Sequence, residues 1–404
     1  MRDALHTLHP AARRWLIAAA LLGVGQQMFV VLRNPLLDAL GFSSRTITHV
    51  QGAGGAAGLL AGALGLAALS RVRTPRLLAL GIAANAAGFA MQSASTDPRA
   101  MIVGAALAGL GIQALTMTAA PFLASLAGPR SAVRLFGLQA IAAQTLPSAL
   151  GPLLAGAIAS TGRGARLDPL DASRLGLVVG ALFVASALVP TWRLRALSAG
   201  AAPADTSRLD ARLSAGRARV ARVLAPDAVV WFAGGLGVPF LQLFFARTYA
   251  MNPRDVGLVY AATAVLGTAG NLASPAVSSR VSARSAVVAA QLALAPIFVT
   301  LALVHDARVA VAAFTLRHAV SNVGNPVHTA IVHTSVAPHE GAPLAAWRML
   351  VQSVAWAAAN FVAGEILTAS RGGFAPLLLV VAATHLAGAV AAWRMLPAHA
   401  WREA

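Results

Sequence analysis

The chain has 404 residues, 58% of them hydrophobic and 11% charged, with a mean hydropathy of +0.71 and a formal net charge of +18. That balance excludes an ordinary soluble domain, and the basic residues sit between long apolar runs rather than among other polar residues, which argues against a nucleic-acid partner. All 31 basic residues are Arg and Cys is absent, so the chain has no Walker A lysine, no lysine for a Schiff base, no disulfide and no thiolate metal site.

Neither an HExxH spacing nor a GxSxG elbow occurs, so covalent and metal catalysis have no visible seat. The expectation is a protein that is not an enzyme and needs neither cofactor nor metal.

A bilayer crossing takes about 20 mainly apolar residues, because ~30 Å of hydrocarbon is spanned at ~1.5 Å per residue. Twelve segments meet that length: 15 to 38, 47 to 70, 76 to 95, 100 to 126, 132 to 160, 174 to 192, 228 to 246, 256 to 278, 284 to 304, 308 to 334, 344 to 368 and 373 to 396. The first follows Arg13 and Arg14 and runs past Arg33 without a small-residue cleavage site, so it reads as an uncleaved helix. The fold class expected is an all-α membrane protein of twelve transmembrane helices.

Arg residues set the orientation, since Arg-rich short loops stay on the cytoplasmic side. With the N-terminus inside, cytoplasmic stretches hold twenty Arg and external ones ten, Arg317 being left within the tenth segment. Both termini are expected in the cytoplasm. The all-Arg, Ala-rich composition suits a GC-rich bacterium and its inner membrane.

The one long polar stretch, 193 to 226, carries seven Arg and separates six segments from six. The expected division is a six-helix bundle over 1–196, a cytoplasmic linker over 197–222 and a second six-helix bundle over 223–404. An offset of 209 pairs Ser70-Arg71-Val72 with Ser279-Arg280-Val281 and Gly41-Phe42-Ser43 with Ala250-Met251-Asn252; an offset of 210 pairs 127–132 with 337–342. Agreement at separate loops is the pattern of parallel transporter repeats.

Polar groups inside the spans are functional candidates, because a charge at a helix centre costs at least about 2.5 kcal/mol. The tenth segment is the most polar: Arg317, Ser321 and His328 fall near one helical stripe, and His318, Asn322 and Asn325 on the next. The eleventh spaces Arg348, Gln352, Trp356 and Asn360 four apart, with the acid Glu365 near its external end. Further amides are Gln26, Gln27, Gln113, Gln139, Gln144, Gln242 and Asn271, while Asn85, Gln92, Gln291 and His385 lie in the third, ninth and twelfth segments. Each amide also has a bland reading as a contact between helices, worth about 0.6 kcal/mol. Glu365 and His318 are the candidate proton carriers, with His328 beside them.

Several motifs carry a family resemblance. The stretch from Gly65 to Arg76 ends in Ser70-Arg71-Val72-Arg73-Thr74-Pro75-Arg76; Gly151-Pro152-Leu153-Leu154-Ala155-Gly156 lies in the fifth segment; Gly109 and Gly111 lie in the fourth; Pro239-Phe240-Leu241-Gln242 and Leu316-Arg317-His318 with Asn322, Asn325 and Pro326 follow in the second half. Together with the topology these resemble the major facilitator superfamily over essentially the full length, and its drug-export-like bacterial members in particular. Three positions depart from the family pattern: Ser70 stands where an Asp is usual, Ala105 near a usual Arg, and Ala155 for a Gly.

The resemblance implies two pseudo-symmetric bundles with segments 1, 2, 4, 5, 7, 8, 10 and 11 around a central cavity. That would put the amides above, with Arg317, His318, Asn322, Asn325, His328, Gln352, Trp356 and Asn360, at a substrate or ion cavity. Arg71 and Arg73 would serve gating, and Gly151, Pro152 and Gly156 a hinge.

The function expected is secondary transport of a small organic solute by alternating access, in the export direction and with the proton as counter-ion. Nutrient import or uniport on the same fold and a transport-inactive scaffold or receptor are alternatives. A membrane-embedded enzyme is a third, which would need His and acids clustered on facing helices. The partners expected are the solute and the lipid bilayer, with the protein a monomer.

Overall fold

The computed structural model describes residues 8–71, 74–126, 132–164, 167–194, 217–334 and 341–396. Arg73 and the linker as far as residue 216 lie outside the described residues, as do most of the paired loops at 127–132 and 337–342; Arg71 ends a helix, but its side chain is likewise outside them.

Among the described residues the chain forms twelve helical segments: α1 Pro10–Ala39, α2 Ser44–Arg71, α3 Thr74–Ala94, α4 Pro98–Leu126, α5 from Ala132 to Gly164, α6 from Pro169 to Trp192, α7 from Arg217 to Tyr249, α8 Pro253–Arg280, α9 Ala283–Leu303, α10 Ala307–Thr334, α11 Gly341–Ala369 and α12 Ala375–Met395. Ten of these segments contain a stretch long and apolar enough to cross a membrane. The other two are α2 and α10; α10 carries Arg308, Arg317, His318, Asn322, Asn325 and His328 along its length.

Helix ends follow local chemistry. His9 accepts from the Ala11 N–H with Pro10 at the first turn of α1, Asp168 accepts from Leu170 before Pro169 in α6, and Ser282 accepts from Ser285 at the start of α9. These side chains satisfy donors that the first turn leaves open, and Pro loses nothing there.

Two units divide the chain. One takes in the described residues of Met1–Phe42, Ala53–Thr206 and Met251–Ala261; the other takes those of Ser43–Gly52, Ser207–Ala250 and Ala262–Ala404. The first turns of α2 and of α8 are thus grouped with the opposite halves of the sequence.

Packing within the halves repeats. In the first, α1 lies against α5 and α6, and α3 against α4 and α6; in the second, α7 lies against α11 and α12, and α9 against α10 and α12. Adding six to each number of the first scheme gives the second, so the repeat read from loop offsets extends to the helix partners.

The largest boundary difference is at α7. The sequence reading opens this span at 228, whereas the helix begins at Arg217 and continues through Pro226. Val223 and Leu224 are buried with Val332 and Leu344, and this packing outweighs the local signals of an Arg-rich, Pro-containing stretch.

Candidate functional site

Extending α7 brings an acid into the helix that the shorter span leaves out. Asp227 is 1% exposed. Arg348 of α11 donates to both of its oxygens, Nε to Oδ2 at 3.0 Å and Nη2 to Oδ1 at 3.0 Å, and Gln352 adds a bond to Oδ2 at 2.9 Å. Arg348 Nη2 also reaches Thr329 Oγ1 of α10 at 3.2 Å, and His328 Nδ1 lies 3.7 Å from Asp227 Oδ1.

A two-point arginine–carboxylate pair is among the stronger protein hydrogen-bond arrangements. Buried, it holds only while every lone pair and donor is served, since each ion pays several kcal/mol in lost hydration.

Helical spacing builds this cluster. Arg348, Gln352 and Trp356 follow at four-residue steps on one face of α11. Four residues beyond Asp227 on α7, Trp231 meets Trp356 with ring centroids 5.8 Å apart. One turn further, Asn360 donates to the Trp356 carbonyl at 2.7 Å and its own oxygen is buried without a hydrogen-bond partner. Three of the four residues of the α11 stripe therefore engage α7. Beside them α7, α11 and α12 form an apolar recess of about 590 Å³, lined by Ala228, Phe232, Leu350, Val354 and Thr384 among others.

Arg317 and His318 sit elsewhere. Arg317 is 9% exposed with its guanidinium 5.9 Å from the Phe298 ring of α9, and its Nη1 lies 3.4 Å from His318 Nδ1. His385 of α12 stacks on the same Phe298 at 5.2 Å and meets Gln291 Oε1 at 2.7 Å. The two polar residues of the ninth and twelfth segments that stood apart in the sequence are thus partners. His318 lies edge-on to Phe314, and its carbonyl accepts from Asn322 at 3.0 Å. Both His318 and Asn322 lie along Gly267 of α8. Asn325 and Asn271 are exposed.

The first-half candidates are spread over several contacts. Gln113 packs on Gly58, Gln27 on Gly151, Gln26 is half-buried, Gln144 is exposed, and the Gln139 Oε1 is buried without a hydrogen-bond partner. In the second half, Gln242 donates to the Pro239 carbonyl at 2.6 Å where α7 narrows into a 3₁₀ turn at Val238–Phe240.

The hinge candidates divide between two neighbours. Gly151 faces Val24 and Gln27 of α1, whereas a methyl group at Gly156 would meet Arg254 and Pro253, and one at Gly257 would run into the Pro152 carbonyl. The start of α8 therefore crosses α5 at backbone contact. A wide turn precedes this crossing over Ile141–Thr145, where the Leu146 N–H reaches back to Ile141; such π-bulges favour functional positions. Glu365 is exposed and pairs with Arg45 of α2 at 2.6 Å.

Sequence reasoning missed Asp227, Thr329 and the wide turn of α5. Pro226-Asp227 lies just before the predicted span, and an i, i+4 reading from Trp231 back to Asp227 would have shown the match to Gln352 and Trp356.

Neither a family model nor a curated relative matches the chain by sequence. Solved structures do. The nucleoside transporter NupG superposes with a TM-score of 0.76 at 15% identity, over 95% of this chain and 98% of that one. A bacterial homologue of the human lysosomal transporter Spinster, inward-facing and occupied, gives 0.74 at 14% over 97% and 98%. The xylose transporter XylE from E. coli gives 0.72 at 11% over 98% of each. The chain has the major facilitator fold.

Proposed function

We propose that this protein is a secondary transporter that moves a small organic solute across a bacterial inner membrane by alternating access, in the export direction and with the proton as counter-ion. The observation that carries the reading is the polar ladder between α7 and α11, which runs from the buried Asp227 with Arg348 and Gln352 to the Trp231–Trp356 pair. Hydrogen-bonding groups beside aromatic faces suit a small molecule with both polar and apolar parts. Alternating access fits a chain built of parallel repeats with no ATP site.

Export is favoured by Gly151-Pro152 and Gly156, which combine a helix bend with the tight α5–α8 crossing. The Arg distribution supports cytoplasmic termini. Uptake is the second reading, because the structures of like fold include a D-xylose–proton symporter.

The purified protein, screened against nucleosides, sugars, organic anions and cationic drugs, should be stabilised to heat by one class, since a ligand that binds only the folded state raises the midpoint. Everted vesicles should then accumulate that compound when acidified inside, and right-side-out vesicles should expel it. Accumulation in right-side-out vesicles instead would reverse the direction, and no stabilisation by any class would favour the scaffold reading.

A further inference from the structure

We infer that His328, Asp227 and Arg348 form a proton-binding switch, in which the incoming proton moves the grip on Asp227 from α11 to α10. The inference rests on the transport reading for its purpose.

Among the described residues the carboxylate takes its hydrogen bonds from α11: Oδ1 accepts from Arg348 Nη2, and Oδ2 accepts from Arg348 Nε and Gln352 Nε2. His328 on α10 faces Oδ1 from 3.7 Å, beyond hydrogen-bond range. Its Nε2 is buried with no hydrogen-bond partner, so the ring has an open position for a proton and a carboxylate within about 1 Å of bonding distance.

The arginine has a second seat ready. Its Nη2 already touches Thr329 Oγ1 at 3.2 Å, one residue along from His328. When a solvent proton adds to the imidazole, an N–H bond forms, no covalent bond breaks and the cluster gains one positive charge. The imidazolium then competes for Oδ1, and Nη2 passes to Thr329 while Nε keeps Oδ2. One α7–α11 bond is exchanged for an α7–α10 bond.

Among the described residues, no other charged group has an ion pair or hydrogen bond with Asp227. On α10 Arg317 lies eleven residues before His328, about 16 Å along the axis. On α12 His385 is engaged by Gln291 and Phe298; on α11 Glu365 is exposed and paired with Arg45; on α7 Arg222 is exposed. The exchange acts on a close crossing: a methyl group at Gly235 would stand 2.9 Å from the Trp356 carbonyl. Loss of one bond there alters how Trp231 meets Trp356.

That pair is a built-in reporter. Tryptophan fluorescence of the full chain in lipid nanodiscs, titrated from about pH 8.5 down to about 4, should show a one-proton step. The step should vanish in His328→Gln, persist in His318→Gln and lose most of its amplitude in Trp231→Phe. Asp227→Asn alone leaves Arg348 buried opposite an amide and can fail to fold, so the carboxylate is tested by Asp227→Asn with Arg348→Gln, in which the step should also vanish. No step in the wild type, or an equal step in His328→Gln, would overturn the inference. A step in a protein that moves no solute would sink the transport reading alone; solute flux without a step would sink the switch alone.

Discussion

Arg348 holds Asp227 at both carboxylate oxygens, 3.0 Å to each, across the α7–α11 interface, with the acid 1% exposed. Sequence separates the two by 121 residues. Fold and geometry alone make them one unit, and the pair anchors the polar ladder from which a transport site is read.

Removing one partner should be costly. Asp227→Ala or Arg348→Ala should lower unfolding stability by about 3–5 kcal/mol, the usual cost of leaving a buried charge uncompensated. Replacing the pair by Leu and Met should restore stability to near wild type while abolishing transport. Thermal unfolding in detergent checks the first part and vesicle flux the second. A double variant that still transports would remove the pair from the mechanism.

The ion pair between Arg45 and Glu365 should behave differently. Arg45 and Glu365 have side chains 53% and 60% exposed, and exposed pairs contribute roughly 0–1 kcal/mol. Glu365→Gln should change stability by less than about 1 kcal/mol and leave flux near wild type. A complete loss of proton-driven flux in this variant would return Glu365 to the centre of coupling.

Most of the topology was legible because a bilayer-length apolar run admits few other readings; eleven predicted spans start within five residues of the helices found. The start of α7 was not legible. Arg217, Arg219, Arg222 and Pro226 look locally like linker, and the helix is maintained by Val223 and Leu224 packing on Val332 and Leu344, residues more than a hundred positions away. Asp227 was hidden by the same misreading. His385 and Gln291 looked like strays on separate helices because their pairing exists only once α9 and α12 are packed. The α11 stripe, by contrast, was readable from spacing alone.

The α5–α8 crossing predicts a steric phenotype. Gly156→Leu places a side chain where Arg254 and Pro253 already lie, and overpacking of this kind costs about 1–3 kcal/mol. The variant should insert and fold, yet lose at least about tenfold in flux, since ~1.4 kcal/mol in the population of one working state is already a factor of ten. Normal flux would show that the crossing need not form during the cycle.

Orientation has a direct check because the chain contains no Cys. A single cysteine at Thr96, between α3 and α4, should react with a membrane-impermeant maleimide on intact cells. One at Val281, between α8 and α9, should react only after permeabilisation. The opposite pattern would invert the topology read from the Arg residues.

Solute counterflow tests the central claim most directly. Liposomes holding the protein are loaded with the stabilising solute, diluted into a trace of the labelled compound and followed in time. Alternating access predicts that label transiently accumulates inside above its equilibrium level, and that Gly156→Leu removes this overshoot. Label that merely equilibrates, or never enters, would contradict the account.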